Sequence, residues 1–285
     1  MPQQIQINSS HYNASTNKFS YPFPIPQVLK NKEVGVASIS VFNSFFNVTS
    51  AYANNTISLV WNADTTTTYT FVIPNQFLDA TGMNFYLQQQ MVAQGLYATV
   101  SSASDNIYFL SIAENSTSYA IEIDVTPLPT SAQATALGYS IGTGATWNWP
   151  SSPVSPELTI SKNFGNLIGF VAGTYPPTPS TSAFQMLSSF CPEISVVNSI
   201  VVACSLVSSF GISLQPDIIY SIGIGDNAFG SAITANAGSV IYSDVVPMTY
   251  STIDISFYDQ NLNRLTLKDS SINLTLSIRD KVVGN

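Results

Sequence analysis

The sequence predicts a mainly β protein: an antiparallel eight-stranded jelly roll, a β-sandwich, carrying an inserted α+β segment. Three observations predict it. Short runs in which apolar and polar side chains alternate recur along the chain, which is the period of a half-buried strand. Breaks rich in Pro, Gly and Ser separate these runs. One stretch alone changes to the period of a helix. The composition agrees, with 45% of the 285 residues hydrophobic and 12% aromatic, which is enough for a large core.

Residues 1–26 read as an extended N-terminal arm. The first part is polar and patternless, and then Tyr21-Pro22-Phe23-Pro24-Ile25-Pro26 alternates apolar residues with proline. Proline holds φ and supplies no donor, so this hexapeptide is extended and excluded from a sheet interior. Tyr21, Phe23 and Ile25 would dock on a neighbouring surface, or on their own domain. Residues 27–74 read as the first part of the jelly roll, with strands at 34–42, 56–61 and 68–73 stopped by Pro74.

Residues 75–195 read as the insertion. Met83, Leu87 and Met91 are spaced by four, with Gln88, Gln89 and Gln90 on the other side and Gly95 at the end, as in a short amphipathic helix. Strand patterns follow at 96–100, 107–112 and 119–125. The stretch 126–156 reads as a long loop anchored by Trp147 and Trp149, and a glycine-spaced block runs from Phe164 to Pro176. Residues 196–285 read as the second part of the jelly roll, with strands at 196–207, 218–224, 239–246, 253–259 and 272–279. Three strands and five make the eight of a jelly roll.

Charge narrows the function. Only 8% of residues are charged, and 8 basic against 16 acidic residues leave a net charge of −8. Without a basic cluster, direct nucleic-acid binding is not expected. Between residues 33 and 161 the chain has eight acids and no base. That stretch has a neutral polar or weakly acidic surface, or is covered by another chain. Met1-Pro2-Gln3-Gln4 opens a polar segment and no run of 18 apolar residues occurs, so neither a secretory leader nor a membrane span is expected. The sequons at Asn13, Asn47, Asn54, Asn115 and Asn273 then read as unglycosylated.

Residues that could carry chemistry are sparse. A Ser-His-Asp triad would need His11, the single histidine, in the least patterned part of the chain. Two cysteines and one histidine, scattered, do not make a zinc site, and Cys191 and Cys204 read as reduced, structural thiols. Glu122 and Asp124 share one strand face and read as solvated. Gly142-Thr143-Gly144 and Gly223-Ile224-Gly225 lack the continuation of a phosphate loop. Asp259-Gln260-Asn261 lacks the downstream Glu of a calcium loop and reads as a turn. No catalytic residue, metal or cofactor is assigned, and the expectation is an assembly protein rather than an enzyme.

Four blocks carry a resemblance. The first is Ile73-Pro74-Asn75-Gln76-Phe77 with residues 84–88, Met91 and Gly95-Leu96-Tyr97. The second runs from Phe164 to Pro176. The third is Pro192-Glu193-Ile194, Val197-Asn198-Ser199-Ile200-Val201-Val202 and Cys204-Ser205-Leu206. The fourth is Phe257-Tyr258-Asp259-Gln260-Asn261 through Asp269 and Ile272 to Arg279. As an ordered set, over about residues 70–280, they resemble the penton (minor capsid) proteins of virophages and related Polinton-type viruses. Relatives often carry Gly where Gln76 stands. The resemblance implies a vertical jelly roll in the virion, made in the host cytoplasm. It also implies five copies closing each icosahedral vertex and contacts to the surrounding major capsid protein. The other reading is a β-sandwich that binds a host-cell receptor or glycan through Trp147, Trp149 and Tyr175.

Overall fold

The computed structural model describes residues 2–100, 105–208 and 217–281, so parts of the expected 1–26, 75–195 and 196–285 segments lie outside the described residues. The chain divides into two compact units, one from Met1–Phe45 with Val197–Asn285, the other from Phe46–Val196.

The first unit begins with β1 (Gln3–Asn8), β2 (Tyr12–Asn13), β3 (Lys18–Leu29) and β4 (Lys32–Phe42). The second then contributes β5 (Thr56–Asn62), β6 (Thr66–Val72), α1 (Ala80–Ala93), β7 (Ala98–Val100), β8 (Asn106–Ile107), β9 (Leu110–Asn115) and β10 (Ala120–Val125). It continues with α2 (Ser131–Leu137), β11 (Tyr139–Ile141), β12 (Glu157–Ile160), α3 (Lys162–Ile168), β13 (Gly173–Tyr175) and β14 (Phe184–Leu187). The chain returns to the first unit with β15 (Ser199–Cys204), β16 (Ile218–Gly223), β17 (Ala232–Asn236), β18 (Ser243–Asp244), β19 (Met248–Tyr258) and β20 (Asn273–Asp280).

The first unit holds two antiparallel sheets, ordered β1-β20-β4-β17 and β16-β15-β19-β3-β2, with β18 also on β4. Without the short β2 and β18, eight strands remain among the described residues, in chain order. The first, eighth, third and sixth form one sheet, and the fifth, fourth, seventh and second form the other. That is the order of a double-Greek-key jelly roll.

Register explains its core. Ile5 and Ile7 lie opposite Leu276 and Leu274. Leu274, Leu276 and Ile278 lie opposite Ile39, Val36 and Val34. All eight are buried, so three strands share one apolar face, and a one-residue slip would turn it outward. In the other sheet Val202 faces Phe257 and Cys204 faces Ile255, which in turn faces Phe19. Gly35 is required where β4 passes another segment, because a Cβ there would lie 2.3 Å from the Ile241 carbonyl oxygen.

The second unit has its own core. Its sheets are β13-β12-β5-β6, β14-β10-β9 and β11-β7-β8. Helix α1 starts at Asp79, whose carboxylate accepts from the Gly82 amide at 2.7 Å, and it buries Ala80, Met83, Leu87 and Met91. It is anchored near β9 by the Ile112 amide, which donates to Asn84 Oδ1 at 3.0 Å. Asn47 and Asn54 form a polar knot at the start of the unit. The Asn47 amide group donates to the Leu78 and Ile194 carbonyls at 2.8 and 2.9 Å and accepts from the Leu78 N–H at 2.8 Å. Asn54 donates to the Asn47 carbonyl at 2.7 Å. Both side chains are buried and fully engaged.

The mainly β class expected from sequence is what the structure shows, but the parts are distributed differently. The expected cuts fell at 26, 74 and 195, whereas the units divide at 45 and 196. The segment 1–26 is not a free arm, because β1 and most of β3 lie in it and bury Ile5, Ile7 and Phe19. Strands β5 and β6, expected in the jelly roll, pair with each other, and β5 pairs with β12, inside the inserted unit. The expected strand at 239–246 reduces to Ser243–Asp244, and Ala232–Asn236 fills the sheet position instead. The loop expected over 126–156 contains α2, whose Thr130 and Gln133 form a capping box, and β11.

Candidate assembly edge

Strand β3 carries the three residues singled out for docking. On one side it pairs with β19. On the other, among the described residues, β2 covers only Lys18 and Phe19. Residues beyond Phe19 therefore form a sheet edge. Alternate residues of a strand point their amides to the same side, so Pro22, Pro24 and Pro26 remove three donors from one side of β3. Proline is tolerated at an edge for that reason, and it discourages indiscriminate strand addition. The ladder runs from Phe19–Ile255 to Pro22–Thr252, and resumes at Gln27–Tyr250 after a register shift. Between those points residues 23–26 span a single β19 residue and bow away from it.

The odd-numbered side chains of β3 emerge stepwise from the core. Phe19 is buried, packed edge-on against Phe257 with ring centroids 5.7 Å apart. Tyr21 and Phe23 are half-buried and contact each other edge-on at 5.7 Å, and His11 lies 5.3 Å from the Tyr21 ring. Ile25 is 70% exposed. Gln27 holds the bowed segment by donating to the Ile25 carbonyl at 2.9 Å. Val28 and Met248, at the far end of the β3–β19 ladder, are also mostly exposed. Sequence reading missed both, because neither lay in a strand it assigned, whereas the structure extends β3 to Leu29 and starts β19 at Met248. The proximity of Val28 to the proline run was the available signal.

The three residues expected to form a recognition surface do not act together. Trp147 is buried, and its indole Nε1 donates to the Gly95 carbonyl at 2.8 Å. Tyr175 is buried, donates its hydroxyl to the Val171 carbonyl at 2.8 Å, and has its phenol pKa raised by burial. Large aromatics contribute most when inside a core, which is why these two face in. Trp149 alone stays half-exposed.

The remaining candidates resolve into structure. Both carboxylate oxygens of Glu122 accept amide hydrogens, one from Gln185 and one from Asn115, the latter at 2.8 Å. Burial, then the Glu122 charge, raise the pKa of neighbouring Asp124. Asp259 is buried and accepts from the Asn261 and Asn263 amides at 2.8 Å, which makes it the organiser of a turn. Cys191 and Cys204 are free thiols, Cys191 exposed and Cys204 buried, where desolvation pushes the thiol up to about 12. Among the described residues, no helix is long and apolar enough to cross a membrane.

No family model and no curated protein matches the chain. Among solved structures, the chain is similar to the mavirus penton protein, at 11% identity and a TM-score of 0.41, with 98% of each chain covered. It is also similar to a chain of the Sputnik virophage, at 12% identity and a TM-score of 0.41, with 99% of each covered.

Proposed function

We propose that this chain is a structural capsid protein of the virion, a penton that closes icosahedral vertices as a homopentamer and meets the surrounding major capsid protein. The observation that carries the reading is the strand order of the first unit, a jelly roll interrupted between its third and fourth strands by a unit with its own core. A fold alone does not assign a function. The four sequence blocks add the direction, and the surface supports it. The β3 edge offers half-buried Tyr21 and Phe23 beside exposed Ile25 and Val28, with few charges to desolvate when subunits meet. Identical wedges around a fivefold axis join through one heterologous contact that closes after five copies. No enzymatic step is part of this role.

The test is the mass of the purified protein at high concentration, alone and with its major capsid protein, together with imaging of virions. Five-subunit rings and density at vertices are expected. A monomer under all conditions, together with absence from vertices, would overturn the proposal. Ile25→Asp should weaken ring formation while leaving the unfolding midpoint unchanged, because Ile25 is exposed.

A further inference from the structure

We infer that the cleft beside Trp149 in the inserted unit is a carbohydrate subsite that takes a neutral pyranose. The inference goes beyond the assembly role and does not depend on it. The cleft has a volume of about 580 Å³ and is lined by Asp64, Thr130, Ser131, Trp149 and Ser151, among others. An aromatic platform, a carboxylate and several hydroxyls are what a sugar ring requires. Its C–H face packs on an indole, and its hydroxyls both donate and accept.

The platform is rigid. Trp149 meets Trp147 edge-on at 5.1 Å and Phe109 at 6.3 Å, and these two meet Trp61 at 5.3 and 6.1 Å. Four rings thus close a cycle of tilted contacts in which three are buried and Trp149 alone reaches solvent. The Trp149 Nε1–H, at the edge of the ring, has no partner among the described residues.

The carboxylate is held as firmly. The Asn148 backbone N–H donates to Asp64 Oδ1 and its side-chain amide to Oδ2, each at 2.9 Å, while the Asp64 N–H donates back to the Asn148 carbonyl at 3.2 Å. These bonds hold the Asp64 pKa below its usual value, so the group is an anionic acceptor at neutral pH. Each oxygen keeps a lone pair for a sugar hydroxyl, a charge-assisted bond. The Ser131 and Ser151 side chains also line the cleft, and among the described residues neither hydroxyl has a hydrogen-bond partner.

Charge selects the class of sugar. Residues 46–196 contain eight acids and the single base Lys162, a net charge of −7. Neither Arg nor Lys lines the cleft. A sialylated or sulfated ring would meet Asp64 with like charge, whereas a neutral hexose would not.

The full chain is titrated with neutral mono- and oligosaccharides and with sialylated counterparts, and binding is read by ligand-observed NMR. Saturable binding of a neutral sugar is expected. It should weaken at least about tenfold in Trp149→Ala and in Asp64→Asn. Ala132→Trp, a change at an exposed lining position that fills the cleft and leaves all four rings of the cycle in the sequence, should abolish it. Unfolding midpoints report whether Trp149→Ala still folds, and Ala132→Trp decides the question if it does not. Absence of saturable binding by every neutral sugar, preference for the sialylated forms, or wild-type binding in Ala132→Trp would each overturn the inference.

Discussion

Deleting residues 2–26 should prevent the first unit from folding while the inserted unit survives. The deletion removes β1 and the core-facing start of β3, and with them the buried side chains of Ile5, Ile7 and Phe19. Full burial of such a side chain contributes about 1.5–3 kcal/mol, so the three together contribute about 5–9 kcal/mol. A whole domain is ordinarily stable by only about 5–15 kcal/mol. The loss also leaves β20 without one neighbour and strips β19 of its partners opposite residues 252–255. The inserted unit loses nothing, because its core residues all lie between Val48 and Tyr175. The assay is calorimetry with limited proteolysis. The intact chain should show both units protected, and the truncated chain only a fragment near residues 46–196. As a control, Ile25→Ala should change stability by less than about 0.5 kcal/mol, since Ile25 is exposed. A truncated chain with an unchanged unfolding midpoint would refute the reasoning and restore the segment as a dispensable arm.

Native Cys191 should react with a maleimide within minutes at neutral pH, and Cys204 only after unfolding, as read by mass spectrometry of labelled peptides. Because the Cys204 pKa is raised from 9.0 to about 12, the folded state holds its proton where the unfolded thiol has lost it. The contribution is thus fully present below pH 9 and declines as pH rises toward 12, by at most about 1.4 kcal/mol per pH unit. A denaturation series in this window should lose that slope in Cys204→Ala. Asn47→Ala should destabilise the inserted unit by about 3 kcal/mol or more in urea unfolding, since it strands buried partners at Leu78 and Ile194. Gly165→Ala should destabilise the same unit, because its Cβ would lie 2.3 Å from the Phe170 carbonyl oxygen. Equal melting of wild type and variant would show that α3 can shift to accommodate it.

The sequence made the long amphipathic patterns legible and hid the elements that break the usual rules. Strand β20 alternates Leu274, Leu276 and Ile278 with polar residues, and helix α1 spaces Met83, Leu87 and Met91 by four, so both could be located closely. Strand β1 has only two apolar residues, Ile5 and Ile7, between glutamines, which is too little periodicity to stand out. Strand β3 was hidden by its prolines, whose exclusion from sheets holds for interiors and not for edges. The eight-strand total concealed an exchange, with β5 and β6 counted for β1 and β3. Local pattern reports that a segment is a strand but not which sheet receives it, because pairing partners lie more than 200 residues apart. The cleft was half legible. Tryptophan marked the region, but only the Asn148–Asp64 bonds and the ring cycle distinguish Trp149 from the buried Trp147.

The position of β19 and β20 has a consequence for synthesis. In both sheets the last strand made is an inner one: β20 lies between β1 and β4, and β19 between β15 and β3. While the ribosome makes the inserted unit, β1, β3 and β4 wait without their main partners. The inserted unit, made of nearby segments, can finish first. Polar Gln3, Gln4 and Gln6 on β1 and the prolines on β3 make the waiting strands poor templates for stray pairing. A nascent chain stopped after the inserted unit has emerged, past residue 196, and before residue 248 therefore holds a complete inserted unit and an open jelly roll. Closure of the jelly roll is therefore a late event in synthesis, since its final strands must be inserted between those already made.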